Sequence, residues 1–555
     1  MNSALAQTTL LHLARLGVRE VCVAAGARNT PLITALFASR GVRVWHFFEE
    51  RCAGFFALGR SMVTRRPTAV LTTSGTAAAE LLPAVIEAYY QGQPLVLVTA
   101  DRPSRYRGSG APQAIEQVGL FGCYAEPTID LEGSGADATW PKALGRVPVH
   151  VNVCFDEPLV GESAGVDFAA WDDLPSDFGI TAIPTVGNTK VLGKAAPKAR
   201  SSLAEERAML EGYLAERTGL VVLASGLHPS EAQLLAPRLA ELGVPIVAEA
   251  TANLQGHAAL ASLLVSGGER ALAALDPQRV LRIGAVPSWR WWRDLESRPE
   301  VSVVHVSRTS FAGLARWEGV GVLPLESLAT AKLVRREGDG EGTCEQTGMS
   351  ASHLFDAHPL AEPAWMRHLA KALPNGAIVM LGNSLPIREW NLAVAIAKPD
   401  CVFFANRGAN GIDGIVSTFL ALAADAPTFI PHPSSFILPE SWLILGDLSA
   451  MYDLAAPWII KQLPAGNRRI VVINNGGGKI FSRVESLRAL PNEAREVIEN
   501  RHTQSFEPWA RLWGMGYRLA TNPDDLDALP DGSVIIEVRP DSDQTEVFWA
   551  AWAGQ

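Results

Sequence analysis

The chain has 555 residues, of which 48% are apolar and 19% charged, and its formal net charge is −10. A chain of this length is too long for one hydrophobic core, so several domains are expected. The acidic balance argues against binding to nucleic acid or to an anionic membrane surface. No apolar run approaches the ~20 residues of a membrane helix, so no membrane insertion is expected.

The spacing of cysteine and histidine does not suggest a structural metal site or a disulfide framework. Six cysteines are scattered without a Cys-x-x-Cys pair, and the eleven histidines lack ligand spacing. No basic stretch precedes the first apolar run, so no secretory signal is expected. We therefore predict a reduced, cytoplasmic setting.

The N-terminal third alternates apolar runs with helical patterns. Strands are predicted at Glu20–Gly26, Thr68–Gly75 and Pro94–Ala100, and helices from Thr30 and over Thr76–Tyr90. Repeated strand-helix-strand order predicts a parallel sheet with helices on both faces.

Two more segments of the same kind follow. The second has predicted strands at Gly219–Ala224, Pro245–Ala248, Arg279–Ile283 and Val301–Val306, and the third begins with Ala377–Gly382 and Cys401–Ala405. Residues 181–200 and 336–350 are predicted linkers, because they are rich in turn-forming or polar residues. The sequence therefore predicts an α/β protein of three doubly wound parallel-sheet domains, at 1–182, 183–345 and 346–555.

The third segment contains a split motif that indicates a ligand site. A predicted strand, Ser441–Leu445, runs into Gly446-Asp447-Leu448-Ser449, and a second, Arg469–Ile473, runs into Asn474-Asn475-Gly476-Gly477, with a predicted helix over Ala450–Leu463 between them. Ligands of open α/β sheets sit beyond the carboxyl ends of the strands. A carboxylate, an amide oxygen and a backbone carbonyl suit Mg²⁺, which keeps phosphate and water as its other ligands. Glycines let the backbone approach a diphosphate closely.

Glu50 is the candidate catalytic acid. It follows the apolar, aromatic run Trp45–Phe48, which is typical of a partly buried carboxylate with a perturbed pKa. The alternative is an ordinary acid at a helix N-terminus. Glu49 is the adjacent competitor.

Five arginines lie in turns that follow predicted strands, and arginine binds carboxylates bidentately. In an acidic protein they indicate a substrate with several carboxylates, although each one alone is also explained by a surface salt bridge. The tryptophans around one of them are equally explained as a plug at a domain interface. The five are Arg28, Arg102, Arg290, Arg388 and Arg407.

Together these segments resemble one family, the thiamine-diphosphate (ThDP) enzyme 2-succinyl-5-enolpyruvyl-6-hydroxy-3-cyclohexene-1-carboxylate synthase. The resemblance is strong over the first ~125 residues and over residues ~375–485, and the middle third is weak apart from Ser288-Trp289-Arg290. Its motifs are Phe48–Arg51, Thr73–Ala77, Thr99–Pro103, Gln113–Ile115, Gly382–Leu385, Asn406–Ala409, Gly411–Gly414 and Gly446–Ala450.

The resemblance implies a fold and a reaction. The three domains become pyrimidine-binding (1–182), central (183–345) and diphosphate-binding (346–555). The reaction is a transferase step: 2-oxoglutarate is decarboxylated, and the succinyl carbanion adds 1,4 to isochorismate in menaquinone biosynthesis. The cofactors are thiamine diphosphate and Mg²⁺, with Mn²⁺ as an alternative. The chain is expected to form a homodimer or homotetramer with active sites at the subunit interface.

The resemblance also assigns roles to residues, here by number in this chain. The catalytic residues are Glu50 and Gln113, and the metal ligands are Asp447, Asn475 and the Gly477 carbonyl. Alignment from Ile480-Phe481 selects Asn475 over Asn474 as the metal ligand, but the choice between the two stays open. Further cofactor contacts are Thr76, Ile412, Gly446, Leu448, Ser449 and Ile480, and the substrate set is Arg28, Arg102, Arg290, Ser384, Arg388, Arg407 and Phe481.

Four positions depart from the pattern of the family, and two other functions stay open. The departures are at Ala27, Pro112, Trp289 and Lys479, and they affect contacts to isochorismate rather than the cofactor site. The first alternative is another ThDP-dependent carboligase or decarboxylase, of acetolactate synthase type. The second is a scaffold or sensor that binds the cofactor without turnover.

Overall fold

The computed structural model describes residues 2–135, 138–162, 164–171, 202–315, 320–333, 352–394, 400–425 and 440–554. Both predicted linkers, at 181–200 and 336–350, lie outside the described residues, as do the predicted domain boundaries. The chain divides into two compact units. The first is Met1–Ala196 with Gly408–Pro427 and Asp453–Pro464, and the second is Pro197–Arg407 with Thr428–Tyr452 and Ala465–Gln555.

The first unit contains a six-stranded sheet with strand order β2-β1-β3-β4-β6-β5, in which all pairs are parallel. β2 is added on one side of β1, and all later strands are added on the other side. The strand order therefore reverses between β1 and β3, although all strands run parallel. The strands are β1 Glu20–Ala24, β2 Arg43–Phe47, β3 Thr68–Thr72, β4 Leu95–Asp101, β5 Thr128–Leu131 and β6 Val149–Cys154, and the helices are α1 Asn2–Arg15, α2 Thr30–Phe37, α3 Glu50–Thr64, α4 Thr76–Ala79 and α5 Leu82–Gln91.

The second unit contains two parallel sheets. The first of them has the order β11-β10-β9-β7-β8. Its strands are β7 Leu220–Ser225, β8 Ile246–Ala248, β9 Arg279–Gly284, β10 Ser302–Val306 and β11 Val320–Leu323, and its helices are α6 Leu203–Ala215, α7 Pro229–Leu242, α8 Gly268–Leu275, α9 Arg290–Asp294 and α10 Leu325–Ala329.

The other sheet of the second unit has the order β13-β12-β14-β15-β17-β16 and reverses direction between β12 and β14. Its strands are β12 Ile378–Leu381, β13 Val402–Phe404, β14 Ser441–Gly446, β15 Arg468–Ile473, β16 Gly516–Ala520 and β17 Ser533–Val538. The helices in this part of the chain are α11 Ser352–Ala357, α12 Glu362–Ala372, α13 Leu385–Ala393, α14 Ile415–Leu422, α15 Asp447–Tyr452, α16 Glu485–Arg488, α17 Asn492–Glu499, α18 Glu507–Trp513 and α19 Ser542–Ala553.

The central strands are buried along their length because helices cover both faces of each sheet. All seven residues of β4 are buried, as are all six of β15. Three parallel sheets with intervening helices confirm the predicted α/β class with three doubly wound domains. The exact domain bounds stay predictions.

Two predicted helices are each broken in two, and proline explains both breaks. The helix predicted over Thr76–Tyr90 is α4 followed by α5, and Pro83 lies in the first turn of α5. The helix predicted over Ala450–Leu463 is α15 followed by a 3₁₀ helix, Ala456–Gln462, which has Pro457 in its first turn. Proline fits a first turn but cannot donate the hydrogen bond of a helix interior, so a new helix starts at each proline.

Helix α14 belongs to the first unit although it lies far along the chain. It packs closely on α3, where a Cβ added at Gly59 would lie 2.6 Å from the carbonyl oxygen of Thr418. The hydroxyl of Thr418 donates to the carbonyl of Phe55 at 3.3 Å. Among the described helices, none combines the length and apolar character needed to cross a membrane.

Candidate active site

The predicted metal ligand Asp447 lies where β14 ends and α15 begins, at the point where the sheet reverses direction. Its side chain is almost fully buried. One oxygen accepts the N–H of Leu448 at 2.7 Å, and the other accepts the N–H groups of Gly476 and Gly477 at 2.9 Å each. These bonds hold the turn after β14 against the turn after β15 and fix the carboxylate at the carboxyl edge of the sheet.

Glycine is required in the turn after β15 and leaves space at the end of β14. Gly477 has φ +134°, and a Cβ there would lie 2.5 Å from the carbonyl oxygen of Glu499. In contrast, a Cβ built on Gly446 meets no atom of the described residues within 4 Å. The end of β14 is therefore open to a bulky group, and the turn after β15 is packed against its own chain.

The two asparagines after β15 differ in what they bind. The amide nitrogen of Asn474 donates to the Gln504 carbonyl at 2.8 Å and to Glu537 at 2.9 Å. The amide nitrogen of Asn475 donates to both carboxylate oxygens of Glu362, at 2.9 and 3.0 Å. The Oδ1 atom of Asn475 is buried and accepts no hydrogen bond within the described part of the chain. Only Asn475 thus presents a buried oxygen with free acceptor capacity.

The carbonyl of Gly477 is the third predicted ligand. It accepts the N–H of Lys479 at 2.8 Å. A carbonyl oxygen has two lone pairs, so one remains for a cation. Lys479, one of the departures from the family pattern, places its Nζ 3.1 Å from Glu499.

Buried acids surround this edge of the sheet. Burial raises the pKa of Asp447, and it raises the pKa of Glu362 to about 7, although the hydrogen bond from Asn475 opposes it. The Nε2 atom of His502 lies 3.2 Å from an oxygen of Asp447. A cation bound here would offset the cost of holding these carboxylates in the ionised form. Glu362 and His502 were missed in the sequence, where no local pattern marks them.

The other predicted cofactor and apolar contacts surround the same two turns. Leu448 is half-buried and Ser449 buried in the first turn of α15. Ile480 is half-buried and Phe481 exposed in a 3₁₀ helix, Lys479–Arg483, that follows the glycines.

Three predicted substrate residues lie at the ends of β12 and β13 of the same sheet. Ser384 precedes α13 with φ +73°, a strained conformation for a non-glycine residue that is often found at functional sites. Arg388 donates to the Ser384 carbonyl at 2.6 Å, and Arg407 donates to Asn383 Oδ1 at 3.1 Å. Desolvation, and secondly the cation of Arg407, lower the pKa of Arg388. Two mutually repelling guanidinium groups at one strand edge suit an anionic ligand.

Arg290 opens helix α9, and its side chain is exposed, 3.6 Å from Asp294. Its neighbours Trp289 and Trp292 are buried in the core of their own sheet, with Val221 and Leu223. The interpretation of these tryptophans as an interface plug is therefore not needed to explain them. Glu249, which was missed in the sequence, is fully buried and accepts the N–H of Ser288 at 2.6 Å.

In the first unit, Glu49 and Glu50 have different structural roles. Glu49 is the N-cap of α3, and its carboxylate accepts the N–H groups of Arg51 at 3.1 Å and Cys52 at 2.8 Å. Glu50 is the first helical residue. Burial raises its pKa, and the nearby charges of Glu49 and Glu80 add to the shift. The helix dipole alone would lower the pKa of an acid at this position, so burial dominates.

Arg102, Gln113 and the turn before Thr76 lie together in the first unit. The Nε atom of Arg102 donates to the Pro112 carbonyl at 2.8 Å. Gln113 has φ +57°, and its Cα lies 3.2 Å from a Cβ built on Gly75. Thr76 is the exposed first residue of α4. The buried side chain of Gln117, missed in the sequence, accepts the N–H of Gly75 at 2.8 Å and so holds this turn.

The two remaining predicted residues of the first unit are Arg28 and Ile412. Arg28 follows β1, donates to the Phe155 carbonyl at 3.0 Å and lies 3.4 Å from Glu157. Ile412 is half-buried in the segment that leads into α14. Arg28 therefore already has an ion-pair partner within the chain.

Comparisons with known proteins place the chain in a family. A protein-family model described as "Thiamine pyrophosphate enzyme, N-terminal TPP binding domain" matches residues 4–120. Three curated relatives are each named 2-succinyl-5-enolpyruvyl-6-hydroxy-3-cyclohexene-1-carboxylate synthase. The protein of Bdellovibrio bacteriovorus is 38% identical over 99% of this chain and 98% of its own length. That of Akkermansia muciniphila is 40% identical over 96% and 95%, and that of Halobacterium salinarum 30% identical over 98% and 96%. The chain belongs to the 2-succinyl-5-enolpyruvyl-6-hydroxy-3-cyclohexene-1-carboxylate synthase family of thiamine-pyrophosphate enzymes.

Proposed function

We propose that this chain decarboxylates 2-oxoglutarate and transfers the succinyl unit to isochorismate by 1,4-addition, as a step of menaquinone biosynthesis. The observation that carries the proposal is the near-full-length similarity to relatives that bear the name of this synthase. The cofactors of the proposed reaction are thiamine diphosphate and Mg²⁺, with Mn²⁺ as an alternative.

The residues after β14 and β15 fit a hard cation with a diphosphate. Asp447 supplies a carboxylate, Asn475 a buried amide oxygen without a partner in the described chain, and Gly477 a carbonyl lone pair. Oxygen ligands of this kind are those that Mg²⁺ prefers. The open space beside Gly446 would admit the diphosphate, with Leu448, Ser449 and Ile480 beside it.

The protein residues would bind, orient and exchange protons. When bound, thiamine diphosphate supplies a stabilised carbanion, and the chain supplies orientation and electrostatics. The Glu50 carboxyl group would hold the aminopyrimidine ring by a hydrogen bond. Burial raises the pKa of this carboxyl group, which favours its protonated form and so the donation of a hydrogen bond to the ring. Ile412 would support the cofactor, and Thr76 and Gln113 would line the pyrimidine side.

Both proposed substrates are dicarboxylates, which explains the need for several arginines. Arg388 and Arg407, with Ser384, form one cationic cluster at the ends of β12 and β13. Arg290 and Phe481 complete the set in the second unit, and Arg28 and Arg102 are the candidates in the first. Each guanidinium group can bind one carboxylate bidentately.

The function is tested by mixing the purified chain with thiamine diphosphate, Mg²⁺, 2-oxoglutarate and isochorismate. We expect loss of isochorismate absorbance together with CO₂ release. A panel of 2-oxo acids without isochorismate separates the alternatives. Pyruvate preferred over 2-oxoglutarate would favour a carboligase of acetolactate synthase type. Cofactor binding without any turnover would favour a scaffold.

We also propose a homodimer or homotetramer with active sites at the subunit interface, in the cytoplasm. The support is the membership of the family, in which one subunit supplies the pyrimidine half and its neighbour the diphosphate half. Mixing an inactive Glu50 variant with an inactive Asp447 variant tests this arrangement. Recovery of part of the activity on mixing is the expected result, because hybrid dimers contain one intact site.

Replacement of Arg388 by alanine should raise the KM for one carboxylate substrate by about 10- to 100-fold, since hydrogen bonds to charged groups contribute ~1.5–3 kcal/mol. Steady-state kinetics with each substrate varied in turn is the measurement. The matched control is Arg298→Ala, which removes a surface arginine paired with Asp276 and Glu300. An unchanged KM for both substrates in Arg388→Ala would remove this residue from the site.

Replacement of Gly446 by alanine should block the cofactor while sparing the fold. Within the part of the chain that the structure describes, the added methyl group meets no atom within 4 Å, so the free energy of unfolding without cofactor should change by less than ~0.5 kcal/mol. We expect thiamine diphosphate to bind at least about 10-fold more weakly, in a fluorescence titration with Mg²⁺. Gly477→Ala is the contrasting variant. It should destabilise the protein itself by more than ~1 kcal/mol because of its φ and its close contact with Glu499.

A further inference from the structure

Glu362 lies behind one of the proposed metal ligands and touches it directly. It is the first residue of α12 and almost fully buried. Its backbone N–H donates to the hydroxyl of Thr545 at 2.9 Å, which anchors it to α19. Both of its carboxylate oxygens accept the amide nitrogen of Asn475, at 2.9 and 3.0 Å.

This contact determines which end of the Asn475 amide faces the proposed metal. An asparagine amide has a donor end and an acceptor end of nearly equal shape, and only the oxygen binds a cation. In its ionised form a carboxylate accepts hydrogen bonds and cannot donate them, so Glu362, both of whose oxygens accept from Asn475, selects the nitrogen end. The oxygen end is then left buried without a partner in the described chain, as observed.

We propose that Glu362 is a positioning residue that orients the Asn475 amide so that its oxygen, not its nitrogen, faces the divalent cation. The proposal rests on the proposed function, because the cation is part of it. It adds a residue from a helix 113 positions away in the chain to the three ligands named from the sequence. Partners of this kind behind metal ligands affect metal affinity strongly.

The test exchanges the two side-chain types. In Glu362→Gln, the amide of the new glutamine can donate a hydrogen bond to the oxygen of Asn475. The Asn475 amide can then turn its nitrogen toward the metal, so we expect Mn²⁺ to bind about 10- to 100-fold more weakly than to the wild type. In the double variant Glu362→Gln with Asn475→Asp, the glutamine donates to one oxygen of the new carboxylate and leaves the other for the metal. The double variant, like the wild type, has one carboxylate and one amide at these two positions, so the net charge is unchanged. It should restore Mn²⁺ affinity to within several-fold of the wild type.

The measurements are a Mn²⁺ titration by electron paramagnetic resonance in the presence of thiamine diphosphate and thermal unfolding without cofactor. Glu389→Gln is the matched control. Glu389 is fully buried, burial raises its pKa, and it makes no hydrogen bond to Asn475 in the described chain. This control should bind Mn²⁺ like the wild type.

The outcomes of these measurements can overturn either the orientation proposal or the proposed function. Glu362→Gln with wild-type affinity would overturn the proposal, and so would a double variant that stays as weak as Glu362→Gln. Because a carboxylate at position 475 adds a negative charge opposite the cation, Asn475→Asp alone is measured beside the double variant as the reference for this charge effect. Failure of the wild type to bind Mn²⁺ with thiamine diphosphate would instead overturn the proposed function.

Discussion

Replacement of Glu50 by glutamine should lower kcat by about 10²- to 10⁴-fold, the range that a positioned acid-base group contributes. The side chain keeps its shape and can still hold the aminopyrimidine by a hydrogen bond. It can no longer gain or lose a proton, which is the property that the raised pKa of Glu50 provides. We therefore expect thiamine diphosphate to bind with an affinity within several-fold of the wild type. Single-turnover kinetics and a cofactor titration measure the two effects separately.

The adjacent acid supplies the matched control. Glu49→Gln makes the same isosteric change one residue earlier, at the N-cap of α3. It should lower the free energy of unfolding by less than ~1 kcal/mol, since one acceptor oxygen remains for the cap, and should leave kcat nearly unchanged. The reverse pattern, with a large loss of kcat in Glu49→Gln and none in Glu50→Gln, would assign the catalytic acid to Glu49.

The cap explains why the sequence alone left these two acids open. Both follow the same aromatic run, and either one is compatible with a helix start. The distinction depends on backbone geometry: Glu49 is extended, with φ −124°, and turns its carboxylate back onto the first N–H groups of α3. A local sequence pattern does not contain that information.

The elements that the sequence predicted best are those in which an apolar run ends at polar residues. β14 and β15 are almost entirely buried strands followed by polar residues, so the extent of each was predicted to within one residue, whereas the roles of Asp447 and Asn475 stay predictions. Four of the six edge strands in the described sheets, β2, β5, β11 and β16, were not predicted, whereas the edge strands β8 and β13 were. In β2, only Trp45 and Phe47 are buried, and the other three residues are exposed or half-buried. In β16 only Ala520 is buried.

Contacts between distant parts of the chain were also beyond prediction. Nothing near Glu362 suggests that it binds Asn475, and nothing near Glu249 suggests that it holds Ser288. Both acids are fully or almost fully buried, and a buried acid needs hydrogen-bond partners. Those partners become known only when the strands that carry them are placed side by side. Each motif of the candidate site can be recognised from a short stretch of sequence, whereas the residues that hold these motifs in place come from distant parts of the chain.

Replacement of Asp447 by asparagine should weaken Mg²⁺-dependent binding of thiamine diphosphate by about 100-fold or more. The substitution removes a buried negative charge opposite the proposed cation, at a cost of ~3 kcal/mol. In the wild type, one oxygen of Asp447 accepts the N–H of Leu448 and the other accepts the N–H groups of Gly476 and Gly477. In the variant, the amide NH₂ group replaces one of these oxygens and cannot accept the backbone N–H groups. Part of the loss will therefore appear as lower stability without cofactor.

The two effects are separated by titrating Mn²⁺ and cofactor well below the unfolding temperature of the cofactor-free variant. The control is Asp276→Asn, the same change at an exposed aspartate paired with Arg298 just before β9. Because it lies at the amino end of its strand, away from the carboxyl edge where ligands bind, it should leave both affinities unchanged. Equal metal and cofactor affinity in Asp447→Asn and the wild type would exclude Asp447 as a ligand. In that case the hydrogen bonds of this carboxylate would be explained by its role in joining two turns of the sheet.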